Sequence, residues 1–345
     1  MIKKWRNNLR VGKCIFGISV LLSFLIGLVL WWISSLLINN QDTQQMAKRW
    51  SKENNVAQIS CFFSANTEIT PDSIAEMEYN LNNKLKEASI VSESENPGAR
   101  LWADAYSAFG KITIHSDSSS ITADAIGIGG DFFLFHPLKL LTGSFFSGND
   151  LMQDYCVLDE DAAWRLFGSN DIAGQIVYIS GHPHLVTGVI EREKGRLPEA
   201  AGLDSSVIYV SYDSLNKYGS HSGINHYEVV MPNPVKDFAL NCVNELIRID
   251  DQETELIDNT RRFDLLKRFQ LITSFGTRSM NGKAIIYPYW ENIARGCEDI
   301  LLVLTLAMII FFAYPVLAAV VIIYLKWKHR TWNMKTIWKK WRGGI

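Results

Sequence analysis

The chain has 345 residues, 48% of them hydrophobic, and a formal net charge of −2. That near neutrality hides a split: twelve of the 34 Lys and Arg lie in the two tails and none in the apolar runs, leaving 22 against all 36 acids in residues 39–300, a net of −14. So negative a middle argues against nucleic acid or anionic lipid as its main partner, while the basic tails suit an anionic inner leaflet.

The chain opens on a basic segment, residues 1–13, with Lys3, Lys4, Arg6, Arg10 and Lys13 and no acid. An uncharged apolar run of 25 residues, 14–38, follows. At about 1.5 Å per residue this spans a hydrocarbon core of roughly 30 Å, and it is too long for a signal-peptide core. It is read as an uncleaved transmembrane helix. Ser19, Ser23 and Gly27 recur every four residues and make a smooth stripe where another helix can approach, which predicts a packing partner in the membrane.

Residues 39–300 are long enough for one sizeable core or two modest subdomains, and their pattern mixes α and β. Residues 56–65 read as a strand. Thr70-Pro71-Asp72 then caps an amphipathic helix carrying Ile74, Met77, Leu81 and Leu85 towards Ile90. After the breaker Glu95-Asn96-Pro97-Gly98 come strand-like segments at 101–108 and 111–115, a Ser-rich turn and another strand. Further strands are expected at 206–211 and 226–231, and a helix at 235–249. Cys61, Cys156 and Cys242 lack metal spacing and read as buried free thiols rather than a disulfide pair.

The second apolar run, residues 301–325, is again 25 residues without charge. Pro315 removes a backbone hydrogen bond inside it and predicts a kink, either hinge or static bend. Tyr287-Pro288-Tyr289-Trp290 suits the outer membrane interface, and Glu291, Arg295, Glu298 and Asp299 read as a solvated charged collar. The tail, 326–345, is basic, so both termini are expected in the cytoplasm and the large domain outside it. Trp327, Met334, Trp338 and Trp341 place an aromatic stripe on one helical face, suited to lying on the inner leaflet.

Catalytic motifs do not emerge. His182-Pro183-His184 lacks the Cys or acid that would complete a metal set and reads as surface histidines at a hairpin edge. Residues 276–284 depart from a phosphate loop in both spacing and final residue. No catalytic, metal or cofactor-binding residue is assigned, and the chain is not expected to be an enzyme.

The middle segment carries a resemblance. It runs Gly129-Gly130-Asp131-Phe132-Phe133, Leu141-Thr142-Gly143-Ser144-Phe145-Phe146, Val157-Leu158-Asp159-Glu160, Ala162-Ala163-Trp164-Arg165-Leu166-Phe167-Gly168, Gly174-Gln175-Ile176 and Val186-Thr187-Gly188-Val189. This order resembles the extracytoplasmic core domain of MacB/FtsX-type ABC transporter permeases, closely over residues 125–191. The resemblance implies an α+β domain between two membrane helices: a porter-like βα subdomain with a β-rich subdomain inserted at about 120–200. It further implies a bacterial cell membrane protein that passes motion from an ATPase to the ectodomain. Such permeases continue through a coupling loop and two more spans, whereas this sequence ends at Ile345. The expected role is therefore a permease-like or accessory subunit working with a separate ABC ATPase, a fuller permease and lipid, as part of an oligomer. The tail would be a remnant of, or substitute for, the ATPase-docking segment. The alternative is a membrane-anchored binding or sensing module without ATP coupling.

Overall fold

The computed structural model describes residues 2–53, 55–91, 99–247, 249, 253–278 and 285–328. Two compact units emerge: Asn39–Asp299, and Met1–Ile38 with Ile300–Ile345.

The chain enters the larger unit from helix α1 (Ile2–Asn39), then forms α2 (Met46–Trp50) and strand β1 (Val56–Phe63). Every residue of β1 is buried, so both of its faces are covered. The period of two divides them: Ala57, Ile59, Cys61 and Phe63 join one hydrophobic cluster, while Gln58, Ser60 and Phe62 point to the opposite face. As the sequence predicts, Thr70 caps α3 (Pro71–Glu87) by accepting from the Ser73 amide, and Ile74, Met77, Leu81 and Leu85 are buried in that same cluster.

The two segments expected at 101–108 and 111–115 are instead one long strand, β2 (Ala103–His115), which pairs along its length with β3 (Ser120–Gly130). Gly110 does not interrupt it. A Cβ there would lie 2.1 Å from the Ser220 carbonyl oxygen, so glycine is what lets the short strand β9 (Ser220–His221) close on β2.

After α4 (Phe132–Phe135) come β4 (Leu140–Gly143), β5 (Tyr155–Asp159) and α5 (Glu160–Phe167). Asp159 caps α5 from the Ala162 amide, and Gly168, at φ 70°, stops it. Strands β6 (Ile176–Ile179) and β7 (His182–Ile190) form a hairpin, followed by α6 (Arg196–Ala200), β8 (Val207–Ser211) and α7 (Tyr212–Tyr218). The unit closes with β10 (His226–Pro232), α8 (Phe238–Leu246), β11 (Thr254–Asp258), α9 (Leu265–Gln270) and the first turns of α10 (Tyr289–Lys328).

All eleven strands described belong to one sheet, with order β11-β1-β10-β2-β3-β8-β5-β7-β4. Because β6 bridges β7 and the far end of β2, the strands β2-β3-β8-β5-β7-β6 close into a ring filled by Ile114, Ala123, Leu158, Val177, Val186 and Ile208. The other arm, β11-β1-β10-β2, is antiparallel, and α3 and α8 contribute Leu81, Leu85, Ala239 and Val243 to its core. This is the expected mixed α+β fold. The long strand β2 belongs to both the βα arm and the β-rich ring.

In the helical unit, α1 and α10 each carry a stretch long and apolar enough to cross a membrane. Ser19 Oγ lies 2.9 Å from the Tyr314 hydroxyl, and Ser23 Oγ donates to the Phe311 carbonyl at 2.8 Å. A Cβ on Gly27 would meet the Phe312 ring at 2.8 Å. The small-residue stripe of α1 therefore lies against α10 of the same chain. Helix α10 runs continuously through Pro315. Trp327 is exposed near its end, while Met334, Trp338 and Trp341 lie outside the described residues.

Candidate functional site

The second face of the β11-β1-β10-β2 arm carries polar side chains, an unusual content for a buried sheet surface. Register dictates which. Opposite Gln58, Ser60 and Phe62 of β1 stand Val230, Glu228 and His226 of β10, and opposite Phe62 on the other side stands Glu255 of β11. All these pairs project to one face.

Glu228 is fully buried and well supplied with partners. His136, just past α4, donates to it from Nε2 at 2.5 Å; Gln58 Nε2 and Ser60 Oγ each donate at 3.4 Å. Burial alone would push the Glu228 carboxyl up, but His136 and the hydrogen bonds from His136 and Gln58 outweigh it and hold it below the usual carboxylate range. His226 is also buried, and desolvation pushes it down to about 4, so it is neutral at physiological pH. His136, His226 and Glu228 bring three donor atoms within 4.8 Å of one another, a two-imidazole, one-carboxylate set that suits a divalent metal by ligand type. In this arrangement His136 Nε2 already takes one Glu228 oxygen, while His136 Nδ1 and His226 Nε2 are buried without a hydrogen-bond partner among the described residues.

Trp290, in the first turn of α10, seals this cluster, with its ring 4.3 Å from that of His136 and 5.4 Å from that of His226. The tryptophan is 3% exposed, so it is core and not the interfacial anchor expected from the sequence. Sequence reading failed here because Phe109 and Phe132, which complete its pocket, come from distant segments.

One helical turn further on, the expected solvated collar is also overturned. Glu291, Arg295 and Glu298 are at most 5% exposed. Their organiser is Arg262, which sits at the end of the 3₁₀ turn Asn259–Arg261 after β11. Its guanidinium donates to both oxygens of Glu291 at 2.6 and 2.7 Å and to Glu298 at 2.6 Å. Arg295 donates from Nε to Glu291 at 2.6 Å and from Nη2 to Glu255 at 2.9 Å, and its guanidinium stacks 3.7 Å over the Tyr287 ring. Arg278 completes the set on Glu298 at 2.6 Å and Asp299 at 3.3 Å. Burial would lower Arg262, but Glu291 and Glu298 raise it well above its ordinary value. The same contacts with Arg262 and Arg295 overcome burial and hold Glu291 low.

The two clusters are joined. Asn259 Nδ2 donates to Ser60 Oγ at 2.8 Å while its Oδ1 accepts from Arg262 at 3.4 Å, so a continuous polar path links Glu228 to Glu291. Among the described residues, the site holds buried ion pairs and no activated nucleophile. What it does is fix the foot of α10 to the sheet with paired, desolvated charges, an arrangement whose geometry is demanding because loss of one partner strands the others.

The sequence reading missed Arg262, Glu228, His136 and His226. Two signals for the site were in the sequence: Glu228 stands alone in an otherwise uncharged strand, and Glu291 and Arg295 have the i, i+4 spacing of a helical ion pair. The expected surface pair His182 and His184 divides: His182 is exposed and stacks on Tyr218, whereas His184 is 2% exposed and bonds Ser214 at 2.9 Å. Cys61, Cys156 and Cys242 are free and buried.

Comparison with known proteins places the chain in a family. The pattern of the MacB-like periplasmic core domain matches residues 19–239. A macrolide export ATP-binding/permease protein MacB of Chromobacterium violaceum is 33% identical over 78 residues, 22% of this chain and 12% of that protein. The MacB of Neisseria gonorrhoeae is 30% identical over 84 residues, 24% of this chain and 13% of that protein. The match thus spans a small part of these curated relatives. Among solved structures, the periplasmic region of MacB from Actinobacillus actinomycetemcomitans aligns at a TM-score of 0.40 and 17% identity, over 65% of this chain and 94% of that one. The extracellular domain of the noncanonic ABC-type transporter YknZ from Gram-positive bacteria aligns at 0.35 and 16%, over 58% and 99%. With its family pattern running over more than half of its length, the chain belongs to the MacB-like periplasmic core domain family.

Proposed function

We propose that this chain is a permease-like or accessory membrane subunit of a MacB/FtsX-type ABC transport system, passing motion from a separate ATPase to its extracytoplasmic domain. The observation that carries the reading is α10. A single helix from Tyr289 to Lys328 has its first turns tied to the sheet by Arg262, Glu291 and Glu298, and continues as an apolar stretch long enough to span a membrane. A continuous helix transmits axial shift and rotation, and the desolvated ion pairs resist slippage at its foot. The basic residues at both ends of the chain support cytoplasmic termini, with residues 39–299 outside. Function on this reading is mechanical, with ATP bound by the partner.

A pull-down of the tagged full-length chain from its native membrane in mild detergent, followed by mass spectrometry, tests it. Recovery of an ABC ATPase, alone or with a fuller permease, is expected. Recovery of the chain alone, or only with extracytoplasmic proteins, would favour an anchored binding module without ATP coupling.

A further inference from the structure

The segment running from α9 through the 3₁₀ turn Leu271–Ser274 to Phe275 has its polarity inverted for a domain surface in water. Leu265, Leu266, Phe269, Ile272 and Phe275 are 58%, 79%, 38%, 52% and 49% exposed. Arg268, by contrast, is 7% exposed and turns inward, donating from Nε to the Phe263 carbonyl at 3.0 Å. Single exposed apolar residues need no explanation, but five large ones within eleven positions, beside an inward arginine, concentrate apolar surface on one short segment.

The position of the segment says what covers it. Directly after Phe275, the Gly276 amide donates to Asp299 at 3.1 Å, and Arg278 binds Glu298 and Asp299. Asp299 lies two residues before the apolar run of α10, within about 3 Å along the helix axis. The segment that follows the exposed apolar residues is therefore bonded to Glu298 and Asp299, the last charged residues of the sequence before the apolar run. Lys267 is exposed on the same short helix, well suited to lipid phosphates beside a buried apolar face.

We propose that residues 265–275 form an interfacial element that inserts its Leu, Ile and Phe side chains into the outer leaflet. Such an element would hold the foot of α10 at a fixed depth. The bilayer would then act as the surface against which the ectodomain is braced.

The test uses the full-length chain in phosphatidylcholine nanodiscs with Cys14→Ser, which removes the one exposed thiol among the five cysteines. An environment-sensitive nitrobenzoxadiazole dye is placed at Leu266→Cys or, as control, at Ser118→Cys on the exposed turn between β2 and β3. Both sites are exposed, so neither change disturbs packing. The expected result is several-fold stronger quenching at 266 than at 118 by lipid carrying a shallow acyl nitroxide, with aqueous iodide showing the reverse order. Equal access of iodide to both sites overturns the proposal. So does shielding of position 266 from both quenchers, which would mean that protein, a second copy included, covers the surface.

Discussion

At the scale of single residues, charge burial dominates the behaviour of this domain. Arg262 is the cation shared by two buried carboxylates, so its removal leaves Glu291 to Arg295 alone and Glu298 to Arg278 alone, each carboxylate short of a charged partner. The predicted cost of Arg262→Met is about 3–5 kcal/mol, the range for breaking a buried pair from one side. Thermal unfolding of the full chain in detergent measures it, and a loss below about 1 kcal/mol, the value of an exposed pair, would show that the network is solvated. Asp104 gives the opposite case. Burial, followed by the nearby Glu78, pushes its carboxyl up to about 8, whereas in the unfolded chain it titrates near 3.8. Between those values the unfolded state has lost a proton that the folded state keeps, so stability falls as pH rises through the window. Asp104→Asn should unfold at a higher temperature than the parent at about pH 8 and show a flatter melting profile from about pH 5 to about pH 8. An unchanged pH profile would place the ionised carboxylate in the folded state.

Elements follow local rules where they are self-contained and long-range ones where they are shared. Helix α3 was legible because its cap, its Pro71 and its apolar stripe all lie within seventeen residues. The fusion of β2 was hidden because what permits it, the approach of Ser220 to Gly110, involves a strand more than a hundred positions away. Site residues were hidden for the same reason. Glu228 looks like an odd acid in an apolar strand until the register of β1 and β10 sets it beside Ser60, and Arg262 has no pattern at all until the chain after β11 folds over the foot of α10. Trp290 and the charges after it were misread as boundary features because sequence distance to the span is visible while burial by distant segments is not. In the two long apolar helices, the α1 stripe makes a direct prediction. Gly27→Leu must displace the Phe312 ring, so SDS titration in mixed micelles should unfold the helix pair at a lower midpoint; an unchanged midpoint would mean that this face carries no packing energy.

For the whole molecule, the arrangement suggests a division of labour. In the larger unit the βα arm supplies a sheet face to which the first turns of α10 are fastened and shares β2 with the ring of strands; in the helical unit α1 packs along α10. Motion entering α10 from a cytoplasmic ATPase would meet the Arg262 network first. Hydrogen exchange on the complex purified from native membranes, with and without a non-hydrolysable ATP analogue, tests this claim most directly. Nucleotide should change protection together at residues 289–299, around Arg262 and along β10, and Arg262→Met should uncouple β10 from the helix. A complex without an ATPase, or identical exchange in both nucleotide states, would contradict it.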